Sequence, residues 1–497
     1  MKKKEPLSRK LIFGIFYLFS SSITSIGFNV ITVAFIARKL GVENFGLFSA
    51  ITSFVGLFQF LSDFGLNRTL LKHGSTDKTK AQMSFGNALF AKGVLIIPTL
   101  IFVNLAGLLA GYKTKDLFLL ELFTVSMIFE SYGTVFSSIR RILGDFKLIS
   151  FFRVVRNIVN LVIVVIALTL NNSVFFLALA NVSMNFFIFI SSLLNTIKLL
   201  KPKLNLKLIN DFFKDSTIFS LSDFFLNIYG RISIVLLSFF SDLHIVGIFS
   251  AAVRATKIAN ILPNQVNFAL LPTMYRVLEN RNHPASAISE TDTELSLKNA
   301  KKAFDILFKF LVVLATLGAI LVFFFSDEII HLVFGYKYNL AIPLVKILSL
   351  FIYLRFISTP FRLFYNALHK NLNMLYIQGV SSLVLIILDI ILIPKYSAYG
   401  ACYATIISEL LFGFMLLISG LKFSIWKLNE VLFLTLKTLA SAFISLSIVM
   451  YFLGKINIFI QIVTLTFIYL LMLFAIRTFN KTDKEILIKV LKDKSKK

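Results

Sequence analysis

The sequence has little of what builds a water-soluble protein. Only 15% of its 497 residues are charged, whereas soluble domains carry about 25%. A single cysteine, Cys402, excludes an internal disulfide framework of the kind that staples small extracellular domains. Acidic residues number 25 against 51 Lys and Arg. Because hydrophobic residues make up 57% of the chain, water is not the main solvent for this fold.

Motifs of catalysis and metal binding are also missing. The five histidines have no metal-ligand spacing and no adjacent cysteine or carboxylate cluster: His73, His244, His283, His331 and His369. No phosphate-binding Gly-Lys-Ser/Thr loop occurs, so the chain supplies no ATPase of its own. The connections between apolar segments are too short to hold a soluble catalytic domain. We therefore expect a protein that is not an enzyme and that binds no metal or cofactor.

Long apolar segments take the place of these features. A helix needs about 20 apolar residues to cross a hydrocarbon core ~30 Å thick. The segments predict an all-α integral membrane protein with about fourteen transmembrane helices. The predicted spans are residues 11–36, 45–66, 83–110, 117–139, 150–170, 174–197, 213–240, 245–275, 303–325, 339–361, 372–393, 400–420, 430–453 and 456–476.

Basic residues predict how the spans are oriented, since Lys and Arg are retained in cytoplasmic connections. Alternate connections along the chain hold 36 Lys and Arg on the side assigned to the cytoplasm and seven on the other. This asymmetry predicts an even number of crossings, both termini in the cytoplasm, and insertion in the cytoplasmic (inner) membrane. The basic residues lie between apolar segments and form no groove on a soluble face, so nucleic acid is not an expected partner.

The remaining eight basic residues fall within predicted spans. A charge at the centre of a span costs about 2.5–3.5 kcal/mol on insertion scales, so it usually faces a polar interior. Arg231 in span seven and Arg254 with Lys257 in span eight are of this kind, and their helical faces also carry Asn227 and Asn264. We expect these faces to line a water-filled cavity.

Other polar residues in the spans allow two interpretations each. Ser25 and Asn29 share one face of span one, where they either line the same cavity or form interhelical hydrogen bonds in close packing. Carboxylates in or near spans include Asp63, Asp223 and Asp389. Each either neutralises a buried cation or binds Na⁺ or H⁺ and couples an ion gradient to transport.

A short repeat indicates how the spans are grouped. The pentapeptide GLFSA from Gly46 opens span two, and GIFSA from Gly247 opens span eight. Either the pattern recurs by chance in a Phe-rich chain, or it marks a parallel repeat of the kind that builds secondary transporters from two bundles. We predict a six-helix lobe at 1–212, a second six-helix lobe at 213–425, and two additional helices with a basic tail at 426–497.

Three motifs point to a known family. The most specific is Ala37-Arg38-Lys39-Leu40-Gly41, followed by Phe45-Gly46-Leu47-Phe48 and Asp63-Phe64-Gly65-Leu66. The second runs from Val246 to Arg254 and continues with Pro263 and Leu271-Pro272, and the third is Leu392-Ile393-Pro394 with Tyr399-Gly400-Ala401. Together they cover spans one to twelve. The chain resembles polysaccharide-export flippases of the multidrug/oligosaccharidyl-lipid/polysaccharide superfamily.

This resemblance implies two pseudo-symmetric six-helix lobes around a central cationic cavity. It implies alternating-access transport of a polyprenyl-pyrophosphate-linked oligosaccharide from the cytoplasmic to the outer leaflet. The cargo would be a lipopolysaccharide O-antigen, capsule or other surface-polysaccharide repeat unit, with membrane lipids and the polysaccharide polymerase machinery as partners.

The resemblance also suggests roles for individual residues. Arg254 matches a cavity arginine of related peptidoglycan-precursor flippases, so it is expected to contact pyrophosphate, with Lys257 adding a point charge. Many family members have Asp before the basic residue of span seven. Here Gly230 precedes Arg231, which argues against ion coupling at that position.

Two other functions stay open. Cation-coupled multidrug antiporters belong to the same superfamily, but they typically use a carboxylate in the first span, and residues 11–36 contain none. A membrane glycosyltransferase or ligase also handles polyprenyl substrates. Such enzymes usually carry acidic residues in the first external loop together with a sizeable outside domain, whereas that loop here offers only Glu43.

Overall fold

The computed structural model describes residues 7–74, 77–259, 290–367, 371–421, 426, 428–453, 457–476 and 478. Within these ranges the fold is helical and contains no strand. Two 3₁₀ segments, Leu206–Leu208 and Tyr336–Ala341, accompany the α-helices. The α-helices are α1 (Leu7–Leu57), α2 (Gln59–Asp63), α3 (Leu66–Gly74), α4 (Lys78–Leu109), α5 (Thr114–Ile142), α6 (Phe146–Leu170), α7 (Val174–Ile197), α8 (Ile209–Phe240), α9 (Leu243–Ala259), α10 (Glu290–Phe324), α11 (Ser326–Val333), α12 (Ile342–Ala367), α13 (Asn371–Tyr396), α14 (Ala398–Leu421), α15 (Leu428–Leu453) and α16 (Ile458–Ala475).

The predicted spans correspond to these helices. Among the described residues, 11 helices are long and apolar enough to cross a membrane. One of them, α1, is 51 residues long and bends at Gly41, so it contains span one and the first part of span two. The rest of predicted span two, 45–66, falls on α2 and the start of α3. The shorter apolar helix α16 corresponds to span fourteen. Helix α9 covers the first part of span eight, 245–275, and residues 260–275 lie outside the described residues. The helix count is therefore consistent with about fourteen crossings, and the prediction of an all-α membrane fold is confirmed.

The helices pack into two compact units. The first contains Met1–Arg254, Ile330–Ala341 and Gln378–Thr405, and the second contains Ala255–Ile329, Ile342–Ile377 and Ile406–Lys497. This division groups residues by their spatial contacts, so it does not test whether two parts of the sequence are repeats of each other. The lobes at 1–212 and 213–425 therefore stay a prediction.

The first family motif builds the bend in α1. Gly41 has φ 75° and ψ 175°, a conformation that glycine adopts without the penalty of a Cβ. Before the bend, the Arg38 guanidinium donates hydrogen bonds of 2.5–3.2 Å to the last three carbonyl oxygens of α11, residues 331–333. Carbonyls at a helix C-terminus have no partner within the helix, so Arg38 satisfies them. The Tyr338 hydroxyl donates to the carbonyl of Ala37 at 3.0 Å and holds the same bend.

The second part of that motif turns the chain from α2 into α3. Phe64 and Gly65 both have positive φ, at 45° and 69°. A Cβ at Gly65 would lie 2.5 Å from the carbonyl oxygen of Ser216 on α8. Glycine is therefore required at position 65 both by the backbone angle and by the close approach of α8.

Helices α1 and α9 cross where the two repeated pentapeptides begin, at Gly46 and Gly247. A Cβ at Gly46 would lie 1.9 Å from the carbonyl oxygen of Leu243, and a Cβ at Gly247 would lie 2.1 Å from that of Val42. Leu243 and Val42 each lie four residues before the glycine of their own helix, so each glycine faces the equivalent carbonyl of the other helix. This symmetric contact brings α1 and α9 to backbone distance, and it favours a true repeat over chance recurrence.

The second unit has an aromatic core of its own. The Trp426 indole stacks on Phe304, with ring centroids 4.7 Å apart, and meets Phe361 edge-on at 4.8 Å. Its Nε1 donates to the carbonyl of Leu417 at 3.3 Å. A Cβ at Gly420 would overlap the indole at 1.6 Å, so this glycine makes room for the ring. The core therefore joins α10, α12 and α14.

We expect Gly46→Ala to lower the melting temperature of the purified protein. The new methyl group overlaps the Leu243 carbonyl, and overpacking of this kind costs about 1–3 kcal/mol. Gly27→Ala is the matched control, because Gly27 lies on the same helix with open space around its Cβ. Equal melting temperatures for the two variants in detergent would show that α1 and α9 do not make this contact.

Candidate functional site

Arg254 lies on α9 at the crossing with α1. Its guanidinium carbon is 5.1 Å from the ring centroid of Phe45 and 5.4 Å from that of Phe48, within the range of a cation–π interaction. Its Nη2 lies 3.5 Å from the hydroxyl oxygen of Ser49. Within the described part of the chain, no carboxylate forms an ion pair with Arg254. The residue is partly exposed, and its guanidinium is held mainly by the two ring faces.

Arg231 lies on α8 and is also held without an ion pair to any described residue. Its Nη1 donates to the carbonyl of Thr52 at 3.3 Å, and its Nη2 donates to the side-chain oxygen of Gln59 at 3.4 Å. A Cβ at Gly56 would lie 2.1 Å from Nη1, so the guanidinium occupies the space that this glycine leaves on α1. Arg231 is also close enough to Arg254 for the two charges to repel each other.

The other predicted cavity residues have different environments. Ser25 donates its hydroxyl to the carbonyl of Ser21 at 2.6 Å, so its oxygen can only accept a further bond. Asn29 and Lys257 are exposed, and Asn227 is partly buried on α8. Asn264 lies outside the described residues.

Two of the three predicted carboxylates are occupied by basic partners. Asp63 accepts from the Lys92 ammonium at 2.6 Å, and that ammonium also donates to the carbonyl and hydroxyl oxygens of Ser131 at 2.7 and 2.5 Å. The Lys92 side chain is only 1% exposed. Asp223 forms an ion pair with Arg68. These contacts favour a charge-neutralising role for both carboxylates.

Asp389 is different from the other two. It is fully buried on α13, where one carboxylate oxygen accepts a 2.8 Å hydrogen bond from the hydroxyl of Ser233 on α8. The other oxygen has no hydrogen-bond partner among the described residues. A buried carboxylate with an open lone pair and no adjacent cation can hold a proton or a small cation.

Sequence reasoning missed several residues around these arginines. Phe45 and Phe48 belong to a motif that marks the family, but nothing in their spacing shows that they flank Arg254. Gly56 carries no sequence signal for the Arg231 contact. The 36 basic residues counted on the cytoplasmic side include Arg153 and Arg156, yet both lie within predicted span five, 150–170, and within α6. Their i, i+3 spacing inside span five was the available signal.

Long apolar helices define a polytopic membrane protein, and two of its arginines, Arg231 and Arg254, form no ion pair with any described residue. Comparison with protein families agrees with this class. A family model described as "Polysaccharide biosynthesis protein" matches residues 11–278, more than half of the chain. The chain belongs to this family.

Solved structures share the fold at low sequence identity. The lipid II flippase MurJ, in an inward closed conformation, aligns with a TM-score of 0.68 and 18% identity over 93% of this chain and 98% of that one. An inward-facing multidrug transporter of the MATE family aligns with a TM-score of 0.63 and 14% identity, over 81% and 94%. At these identities the likeness shows the fold, which is common to both kinds of transporter.

A curated relative matches part of the chain, but its description names no activity. An uncharacterized membrane protein of Methanocaldococcus jannaschii is 31% identical over 219 residues, which are 40% of this chain and 41% of that protein. The match thus spans about two fifths of the length of that relative.

Asp63→Asn should destabilise the protein more than most single substitutions. It leaves the buried Lys92 ammonium uncompensated, and breaking a buried ion pair on one side costs about 3–5 kcal/mol. The double variant Asp63→Asn with Lys92→Met should recover most of the melting temperature, because no buried charge remains. Glu121→Gln, an exposed substitution on α5, is the control. A double variant no more stable than Asp63→Asn alone would contradict the pairing.

Proposed function

We propose that the chain is a flippase that moves a polyprenyl-pyrophosphate-linked oligosaccharide from the cytoplasmic to the outer leaflet by alternating access. Its membrane is the cytoplasmic membrane, with both termini in the cytoplasm. The proposal rests mainly on two partly buried arginines, Arg231 and Arg254, which form no ion pair with a carboxylate among the described residues. Membership of a polysaccharide biosynthesis family and the fold shared with a lipid II flippase support the same substrate class.

The chemistry of the two arginines suits a pyrophosphate. A guanidinium forms bidentate, charge-assisted hydrogen bonds to phosphate oxygens and stays charged when partly desolvated. Arg254 is positioned by two phenyl rings and Arg231 by a carbonyl and an amide, so an arriving anion need not displace a carboxylate. Lys257 and Asn264 add a point charge and a polar group further along the same segment. The lipid tail stays in the bilayer, and no covalent step is needed.

The crossing of α1 and α9 is the natural gate for such a cycle. On the topology given by the Lys/Arg distribution, the bend at Gly41 lies at the outer end of the protein. Closure of Gly46 against Gly247 blocks the path there, immediately beside the rings that hold Arg254. Release of the glycan to the outer leaflet requires this contact to separate.

Asp389 is our choice for coupling transport to Na⁺ or H⁺. Its buried carboxylate has one oxygen without a described partner, whereas Asp63 and Asp223 are neutralised by Lys92 and Arg68. Binding of a cation to Asp389 would change the charge between α8 and α13. The surface polysaccharide served is an O-antigen, capsule or similar repeat unit, delivered to polymerase machinery outside.

A multidrug antiporter is the second candidate, and the MATE fold likeness favours it. The described part of α1, Leu7–Leu57, contains one acidic residue, Glu43, and it is exposed. Proton- or Na⁺-driven efflux of a cationic dye from proteoliposomes would support this candidate. Catalysis is not part of the proposal, and formation of a new glycosidic bond by the purified protein from a lipid-linked sugar would contradict it.

The double variant Arg231→Ala with Arg254→Ala should lose most flipping activity. A hydrogen bond to a charged group contributes about 1.5–3 kcal/mol, so removing both should slow transport at least about tenfold. The measurement is translocation of a labelled polyprenyl-pyrophosphate oligosaccharide in liposomes. Lys39→Ala, at an exposed basic residue of α1, is the control. Unchanged flipping by the double variant, with equal reconstitution, would refute the site.

Asp389→Asn should remove the dependence of flipping on an ion gradient. The amide keeps the size of the side chain but stays uncharged at every pH. We expect an imposed Na⁺ or H⁺ gradient to accelerate the wild-type protein at least about fivefold, the low end of typical coupling between sites, and to leave the variant unchanged. Asp116→Asn, at a partly exposed residue in the first turn of α5, is the control. Retained gradient dependence in Asp389→Asn would exclude this residue as the coupling site.

A further inference from the structure

A second group of arginines surrounds a cavity of about 210 Å³ within the first unit. Arg140 and Arg141 come from the last turn of α5, and Arg153 and Arg156 from the first half of α6. Residues of α7 complete the wall. None of these arginines belongs to the candidate site around Arg231 and Arg254.

Two of the four charges are neutralised within the protein. Arg156 forms an ion pair with Glu130 at 2.6 Å and also donates to the side-chain oxygen of Asn185 at 3.2 Å. Arg140 forms an ion pair with Asp145 at 3.1 Å, just beyond the end of its helix. These two arginines hold the wall of the pocket in place.

The other two charges have no carboxylate partner among the described residues. Arg153 donates to the hydroxyl oxygen of Ser22 on α1 at 2.7 Å. The Arg141 guanidinium makes neither an ion pair nor a hydrogen bond with any residue that the structure describes. The two guanidinium groups are close enough to repel each other. Arg141 is exposed and Arg153 is partly buried, and an anion bound between them would relieve their mutual repulsion.

We infer that this pocket binds a diphosphate group, held between Arg141 and Arg153. Two guanidinium groups supply four or more donors in planar forks that match phosphate oxygens. The cavity is smaller than the roughly 300–1,000 Å³ of sites that enclose drug-sized ligands, and its size suits a small anion such as a diphosphate. The hydroxyl of Ser192 on α7 lines the same space and can donate to the anion.

The source of the diphosphate rests on the proposed function. On the Lys/Arg topology, the end of α5 and the start of α6 lie on the cytoplasmic side, where a polyprenyl-pyrophosphate glycan would first meet the protein. The pocket is then a docking site used before the diphosphate reaches Arg231 and Arg254. A phospholipid headgroup shares the phosphate chemistry but carries a single phosphate.

The test measures binding of inorganic pyrophosphate by calorimetry at low salt in neutral detergent. It uses the full-length protein carrying Arg231→Gln with Arg254→Gln as its background, because the unaltered protein would also bind pyrophosphate at those two arginines. Arg141→Gln with Arg153→Gln should raise the dissociation constant at least tenfold, and Arg153→Lys alone should recover only part of the affinity. Lys147→Gln, at an exposed basic residue in the first turn of α6, is the matched control and should bind as the background protein does. Pyrophosphate should still bind this pocket in Arg231→Gln with Arg254→Gln.

Two results would overturn the inference. One is an unchanged pyrophosphate affinity in Arg141→Gln with Arg153→Gln. The other is displacement of bound pyrophosphate by phosphatidylglycerol at equal concentration, which would identify a lipid headgroup site. Liposome flipping separates this inference from the proposed function. If the wild-type protein binds pyrophosphate through Arg141 and Arg153 but does not flip the glycan, the inferred pocket stands and the proposed function is refuted.

Discussion

The cost of placing a charge inside an apolar helix bundle organises this protein. A guanidinium or ammonium cannot be left without a partner there, so each basic residue within a helix has either a carboxylate, a set of polar groups, or access to an anion. Lys92 with Asp63 and Arg355 with Glu409 are of the first kind, with ion pairs of 2.6 and 3.2 Å. Arg231 and Arg254 are of the second kind. That difference separates structural cations from candidate binding groups.

Close helix approach is the second constraint, and glycines provide it. Gly46 and Gly247 let α1 and α9 meet backbone to backbone, and Gly56 leaves the space that Arg231 fills. The same crossing therefore sets both the gate and the position of a cation. Phe45 and Phe48 join the two features, because they flank the crossing glycine along α1 and present their rings to Arg254.

The fold followed from local signals in the sequence. Apolar length predicted the helices, and most observed bounds lie within a few residues of the predicted ones, as for α7 at Val174–Ile197. The site followed less directly. Arg231 and Arg254 were identified because a charge within a span is rare, but their neighbours were not, since Thr52, Gln59 and Gly56 lie about 170 residues away along the chain. Arg153 and Arg156 were counted with the cytoplasmic connection before span five, although both lie within the predicted span 150–170 and within α6.

Hydropathy and the distribution of Lys and Arg belong to single segments, so the sequence alone determined the all-α membrane fold, the order of its long apolar helices and several of the charges that lie within them. Whether a buried charge is neutralised depends on which helix packs beside it, and that is a property of the tertiary structure. Asp63 and Asp389 are both carboxylates within predicted spans or next to them. Only the packing of α4 brings Lys92 to Asp63, and only the packing of α8 gives Asp389 a hydroxyl in place of a cation.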